Sequence, residues 1–389
     1  RVLSTNFAPF QRSFALTVLC TAEKRKLVQL THGPAYFLAA PDLAKMLVKR
    51  ADNIMQYLAA RLCFLAMALI VLSTEVHSEL DGTFLCAQAN QGSLDRITKA
   101  LRAGVDPNLR CDPDFANRTP LHRSALTGNY MAVQAILAFG GNPNLKDRSG
   151  RTPLHLSAQV GDLQGLKSQI EDYDADITIE EGDHRTVFAE AVKFDRYLVA
   201  QYLLEVQEMD ADAPDKYGQT PLMFATANKN LEMVQLLLEA EVDVNHPNKA
   251  SQTALLTAVT EDAPTDIVTT LINFGADVDF PGLEGLSPLM AAARWGTIPE
   301  TITELIKAGA DVNRQDTDGR TALMFAAYAG NLDALYILLD SGANWDVVNY
   351  NDMTAMEVAF ATEHYEIVTA IKNYGEKRER QQEIAGREL

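Results

Sequence analysis

Residues 150–166 read GRTPLHLSAQVGDLQGL. The stretch holds a turn, a helix start, a stripe of small residues and a second turn. Thr152 is a residue type that caps a helix through its hydroxyl. Pro153 follows at the first helical position, where a missing N–H costs nothing. Ser157 and Ala158 are small enough to let a neighbouring helix approach closely. Gly161 suits the left-handed residue that ends a helix.

The same phrase returns along the chain. Its opening residue stands at Thr119, Thr152, Thr186, Thr220, Thr253, Ser287, Thr321 and Thr354, in steps of 33 or 34 residues. A weaker copy, numbered zero here, opens at Thr83. Pro120, Pro221 and Pro288 repeat the helix start, and Gly128, Gly296 and Gly330 repeat the stop. Pro264 and Pro299 mark the start of a second helix in two units. An apolar helical stripe such as Leu335, Leu338 and Leu339 follows. Each unit then closes on a second phrase: GVDPN at 104–108, GGNPN at 140–144, GADVD at 275–279, GADVN at 309–313 and GANWD at 342–346.

Period and wording together resemble the ankyrin repeat, whose hallmark TPLH stands at 119–122 and 152–155. The resemblance implies an all-α solenoid of about nine helix-turn-helix repeats with β-hairpin fingers. It covers 81–374 within an array assigned to 79–374. A unit this small cannot bury its own apolar face, but a stack can. The pattern weakens in the middle. The Gly of the second phrase becomes Asp174, Glu208 and Glu241, and TPLH decays to TVFA at 186–189. Non-Gly residues at a left-handed position carry a cost on the order of 1 kcal/mol, so repeats 2 to 4 are expected to be the softest.

The chain of 389 residues has a net charge of −18. Residues 1–78 carry +5 and residues 79–389 carry −23, which marks a boundary near 78. So acidic an array lacks the basic footprint of a nucleic-acid binder. Residues 1–54 show no repeat. They stand as an unassigned prefix: upstream sequence outside the native coding region, or an authentic N-terminal helical segment. Within 55–78, Met55 and Arg61 precede an unbroken apolar run, Leu62 to Leu72, and Val76 and Ser78 follow. That layout is a secretory signal peptide, and the run is short for a membrane span. An uncleaved anchor and a helix packed on the stack remain as alternatives. The signal reading places the array in a periplasm or outside the cell, with membrane contact only during export or through the anchor; the packed-helix reading leaves it cytoplasmic. At the other end Gly375 is expected to stop the last helix, leaving 375–389 as a charged tail.

Little in the sequence suggests chemistry. His122 and His155 belong to TPLH, and the resemblance gives them a structural role. No Ser/His/Asp set, Cys/His pair or phosphate-binding loop is visible. Asp172, Asp174 and Asp176 imitate the start of a calcium loop, yet Ile177 stands where glycine is needed, and the repeat register explains the stretch. No enzyme activity, metal or cofactor is expected. Asn117-Arg118-Thr119 is a glycosylation sequon. Cys86 and Cys111 flank the first unit; in an oxidising compartment they are candidates for a disulfide, against the alternative of two unpaired thiols.

The resemblance implies that partners bind the fingers and adjoining first helices. It places five positions per repeat on that face, at −4, −3, −1, +7 and +8 from the opening residue. Basic residues there are Arg118, Arg148, Arg151, Arg185, Lys193, Lys216, Lys249, Arg294 and Arg320. Acidic ones are Asp183, Glu261, Glu284 and Asp318. Either this is a locally positive strip on an acidic body, suited to an acidic protein partner, or it reflects a preference for Arg beside Thr. Leu283, Leu286, Trp295, Tyr328 and Tyr350 fall on the same face, with Tyr217 further back. The candidate binding set is therefore Arg118, Arg148, Arg151, Lys216, Tyr217, Leu286, Arg294, Trp295, Arg320, Tyr328 and Tyr350, with Trp295 as anchor. The alternative for Trp295 is burial between first helices. Trp345 replaces the Val of GADVN and is expected in the core.

The expected function is non-catalytic protein binding by a monomer. A regulatory subunit or inhibitor of one enzyme would use the same face, as would a cytosolic scaffold that keeps 55–78 as a packed helix.

Overall fold

The computed structural model describes Arg61 and residues 81–112, 116–296 and 298–387. The prefix and the 55–78 segment otherwise lie outside the described residues. Among these residues there are eighteen α-helices and no strand. They form nine consecutive pairs: α1 (Gly82–Gln91) with α2 (Leu94–Arg102), α3 (Pro120–Leu126) with α4 (Tyr130–Ala138), α5 (Pro153–Val160) with α6 (Leu163–Lys167), α7 (Val187–Lys193) with α8 (Tyr197–Glu205), α9 (Pro221–Ala227) with α10 (Leu231–Glu239), α11 (Ala254–Thr260) with α12 (Thr265–Asn273), α13 (Pro288–Trp295) with α14 (Pro299–Lys307), α15 (Ala322–Ala329) with α16 (Leu332–Asp340), and α17 (Ala355–Ala361) with α18 (Tyr365–Arg387).

First helices pack on first helices and second on second, so each unit lends its apolar face to the next. The small residues sit where the first helices meet: Ala158, Ala225, Ala258, Ala292 and Ala326 are wholly buried. Side chains from every unit from the second repeat onward join one continuous core, and a second cluster serves the N-terminal units.

Each first helix of repeats 1 to 8 is capped by the opening residue of its phrase. In repeat 1 the Thr119 hydroxyl lies 2.8 Å from His122 Nδ1, and His122 Nε2 lies 3.1 Å from the Arg151 carbonyl oxygen of the next unit. The N-terminal unit differs from expectation. Its cap is Asp81, not Thr83: the Asp81 carboxylate accepts from the Phe84 amide at 2.8 Å and from the Thr83 hydroxyl at 2.6 Å. An aspartate at this place also favours the positive end of the helix dipole.

Among the described residues the fingers are tight turns in which no strand is formed. Each turn is closed by few backbone bonds, such as Asp316 N to Arg320 O at 3.0 Å, too few to make a ladder. Neighbouring fingers are tied at their tips instead, as in Lys216 N to Asp183 O at 2.8 Å and Tyr350 N to Asp318 O at 3.0 Å. A second series runs along the closing phrase. The last residue of one phrase accepts the amide of the third residue of the next: Asn144 from Asp176 at 2.8 Å, Asn245 from Asp277 at 2.8 Å, Asn313 from Asn344 at 2.7 Å.

Asp174, Glu208 and Glu241 do adopt positive φ, at 51°, 50° and 59°. Two further irregularities fall in the same section. The second helix of repeat 2 ends in a π-helical turn, Ser168–Asp172, the usual signature of one residue too many in a helix. Thr178 ends its phrase in place of Asn or Asp, and its hydroxyl instead donates to Asp176 at 2.6 Å.

The C-terminal expectation is corrected. Gly375 does not stop the last helix; α18 runs through it to Arg387. The reason lies in Trp345, which is half-buried at the end of the stack and not enclosed in the core. Tyr374 packs edge-on against its ring, with centroids 5.9 Å apart, and the Arg378 guanidinium lies 5.3 Å from the same ring. The Tyr374 hydroxyl also donates to the Leu339 carbonyl at 2.9 Å. These contacts flank Gly375 and hold the helix past it, so part of the assigned tail caps the stack. Among the described residues no helix is long and apolar enough to cross a membrane.

Candidate protein-binding face

In five of the fingers the turn is organised by the residue five before the opening Thr. Asp147, Asp215, Asn248, Asp316 and Asn349 each accept two backbone N–H bonds with one side-chain oxygen; for Asp316 these come from Asp318 at 2.9 Å and Arg320 at 2.8 Å. Side chains of this type favour such turns because they bond their own backbone two residues on. The carboxylates of this column then reach the arginine that precedes Thr. Arg151 and Arg118 both lie 3.4 Å from Asp147. Arg320 Nε lies 2.7 Å from Asp316, and its Nη2 lies 3.1 Å from Asp318 and 3.8 Å from Glu284.

Repeat 3 takes this furthest. Arg185 lies 2.9 Å from Glu181, 2.8 Å from Asp183, 2.8 Å from Glu190 and 3.9 Å from Asp215. Arg185, Glu181, Glu190 and Asp215 are all buried. Its opening phrase, TVFA, lacks the TPLH histidine, as do all the later copies. The Arg185–Glu190 pair ties its finger to its first helix, the place where His122 does similar work two repeats earlier. Lys216 also pairs with Asp183, and hydrogen bonds from Lys216 and Arg185 hold the Asp183 carboxyl below its usual range.

The positive strip expected from the sequence is therefore largely neutralised. Arg118, Arg151, Arg185, Lys216 and Arg320 all face carboxylates, several of them in the column five before Thr. The sequence carried that signal as a recurring Asp or Asn, but the five-position template omitted it. The excess of Arg beside Thr belongs to the architecture of the turns.

The exposed aromatics stand apart from this network. Trp295 is 49% exposed, so it is not packed away between first helices. Tyr217, Leu283, Tyr328 and Tyr350 are exposed by 54%, 65%, 56% and 77%. Leu283, Leu286, Arg294, Trp295 and Arg320 meet around one cavity of about 280 Å³, with Ala250, Gln252, Leu256, Thr260, Glu284 and Asp316. Tyr328 and Tyr350 do not line it. Arg148 is exposed on the finger of repeat 2. Arg118, Arg151, Lys216 and Tyr217 lie in other units, and the structure brings them into no common cavity with Trp295.

His122 and His155 are wholly buried, and burial pushes both down to about 4. They are neutral structural ties at neutral pH. Among the described residues no group of three or more His, Cys, Asp or Glu is placed to hold a metal ion. The sequon is compromised as an acceptor: Thr119 is wholly buried, with its hydroxyl engaged by His122. At the N-terminal end Cys86 and Cys111 are joined by a disulfide, with Cα atoms 5.5 Å apart. It links α1 to the first finger.

Helix pairs stacked in register, with neighbouring fingers tied to one another, define a helical-repeat solenoid. The family model for ankyrin repeats (three copies) matches residues 84–181, 156–248, 241–316 and 289–381. The chain belongs to the ankyrin-repeat family. Such repeats are typically non-catalytic scaffolds for protein–protein interaction. A B-cell lymphoma 3 protein homolog of Mus musculus is 30% identical over 200 residues, 49% of this chain and 43% of that protein. A putative palmitoyltransferase, ZDHHC13, of Danio rerio is 31% identical over 186 residues, 46% of this chain and 28% of that protein. The potassium channel SKOR of Arabidopsis thaliana is 38% identical over 69 residues, 18% of this chain and 8% of that protein. The chain spans less than half of each of these relatives.

Proposed function

We propose that this array binds a protein partner through its fingers and first helices, outside the cytoplasm, without catalysis and as a monomer. The observation that carries the reading is the set of exposed side chains on that face, centred on Trp295, Leu283 and Arg294 around one cavity. Large aromatic and Arg side chains of this kind dominate binding energy at protein interfaces. The paired arginines Arg118, Arg151 and Arg320 set the shape of the fingers, and Arg148, Lys216, Tyr217, Leu286, Tyr328 and Tyr350 extend the face along the stack. Two features support export: the Leu62–Leu72 run with its Val76-x-Ser78 ending, and the Cys86–Cys111 bridge, a bond that persists in oxidising compartments.

Photo-cross-linking in the native host tests this. A benzoylphenylalanine is placed at Tyr217, Trp295 or Tyr328 on the proposed face, and at Met131, Leu198 or Tyr336 on the exposed side of second helices. Discrete adducts from the first group and none from the second are expected. Adducts confined to the second group would overturn the assignment.

A further inference from the structure

The cavity beside Trp295 has a chemistry of its own, and it specifies the partner more closely. It rests on the binding-face reading above. Its apolar wall is Leu256, Leu283 and Leu286. At about 280 Å³ it lies at the lower edge of the roughly 300–1,000 Å³ typical of ligand pockets and has room for an aliphatic side chain. Leu283 is 65% exposed at its rim, an apolar surface placed for contact from outside.

The two arginines on the cavity differ. Arg320 has three carboxylates around it: Asp316, Asp318 and Glu284. The Asp316 carboxylate is itself consumed, bonded to two amides of its turn and 1% exposed. Arg294 faces no carboxylate within ion-pair distance among the described residues. Its guanidinium lies instead against rings, 5.1 Å from the centroid of Trp295 and 5.7 Å from that of Phe325. Phe325 is buried, and Arg320 lies 5.0 Å from the same ring. Rings restrict where the Arg294 guanidinium can go without taking up its N–H donors. A stacked guanidinium keeps a planar fork of donors that matches a carboxylate. On a body of −23 overall, Arg294 is thus an exposed cation beside an apolar cavity that no carboxylate among the described residues takes up.

We propose that the cavity in repeats 5 to 7 receives an acidic, apolar segment of a protein partner. An aliphatic side chain of the segment enters between Leu256, Leu283 and Leu286. A neighbouring Asp or Glu pairs with Arg294 over the Trp295 ring. A Lys in place of that Asp or Glu would meet the Arg294 guanidinium with like charge, so selectivity at this point comes from repulsion as well as attraction.

The test uses the full chain and short blocked peptides labelled for fluorescence anisotropy. The probe carries one Leu between two Glu residues in a Ser/Gly background. Its twins replace Glu by Gln, Glu by Lys, or Leu by Ala. The Gln and Ala twins are expected to bind on the order of 10-fold more weakly, for the loss of a charge-assisted bond and of apolar burial. The Lys twin is expected to bind least. In Arg294→Gln the Glu and Gln peptides should become equal, while Leu still outbinds Ala; circular dichroism checks that the variant is folded. Equal binding of Glu and Gln peptides to the unaltered chain, preference for Lys, a Glu preference that survives Arg294→Gln, or no binding by any peptide would each overturn the inference. The cross-linking experiment separates the two levels. Adducts at Trp295 without peptide selectivity leave the face and remove the segment chemistry, whereas no adducts on that face remove both.

Discussion

Glycine substitution at Glu208 and Glu241 should stabilise the array, and glycine removal elsewhere should do the reverse. Both residues follow second helices and hold φ of 50° and 59°. A left-handed backbone costs an L-residue roughly 1–2 kcal/mol. Glycine avoids this but gives back roughly 0.5–1 kcal/mol through the freedom it gains when unfolded. A glutamate there also stands at the negative end of its helix dipole, worth roughly 0.3–1 kcal/mol when removed. The balance is a gain of about 1 kcal/mol for each of Glu208→Gly and Glu241→Gly. The gain is smaller for Asp174→Gly, because aspartate tolerates this conformation better. The reciprocal test is Gly309→Ala. Gly309 has φ of +96° and nothing within 4 Å of the place its Cβ would take. Sterics are then silent, and the expected loss of about 1 kcal/mol or more is conformational. Urea unfolding followed by circular dichroism reads all four, with hydrogen exchange over residues 187–248 to locate the change in the two glutamate variants. Because the two glutamates are in separate units, their effects should add to about 2 kcal/mol. A destabilised double variant, together with a neutral Gly309→Ala, would refute the reasoning.

Other expectations follow from particular contacts. Arg185→Met should cost about 3 kcal/mol, because it leaves Glu190 and Glu181 buried without their cation; a variant as stable as the parent in urea would count against the buried network. His122 and His155 have folded values near 4, below the ordinary 6.5, so their stabilisation is complete above about pH 6.5 and is lost as pH falls through 4. The loss approaches about 3 kcal/mol for each histidine, and His122→Asn should show a shallower acid dependence of its urea midpoint than the parent. Thr178→Asn should restore the missing link of the closing phrases and slow exchange of the Asp210 amide; an unchanged rate would contradict that account. Replacing Cys86 and Cys111 by Ser removes a bridge across a sequence separation of 25 and should cost roughly 3 kcal/mol. Exchange should then quicken in 82–102 before the rest of the array, and two freely alkylated thiols in the native parent would dismiss the bridge.

The helices were legible because each unit repeats the same local instructions. Thr119 and Thr152 with their prolines start helices, Gly161 and Gly330 stop them, and both roles depend on neighbours close in sequence. The left-handed Asp174, Glu208 and Glu241 were legible by register alone. Gly375 misled because the contacts that carry α18 past it come from Trp345, about one repeat away. Thr83 misled because Asp81 is the better cap and is nearer the helix start. The charge pattern misled for a related reason: Arg118 and Arg151 were counted without Asp147, which is 4 residues from Arg151 and 29 from Arg118 but 3.4 Å from each in space. Exposure of Trp295 and the ring contacts of Arg294 depend on packing between units, and no single-unit pattern reports them.

Binding constants for the protein recovered by cross-linking, measured by calorimetry on four variants, test the central claim most directly. Trp295→Ala and Arg294→Ala lie on the proposed face; Leu198→Ala and Tyr336→Ala lie exposed on second helices. The account predicts that the first two weaken binding on the order of 10-fold or more without lowering the urea midpoint, as expected of central interface residues, and that the second two leave it unchanged. Unchanged affinity in Trp295→Ala and Arg294→Ala, with loss in Leu198→Ala or Tyr336→Ala, would contradict it.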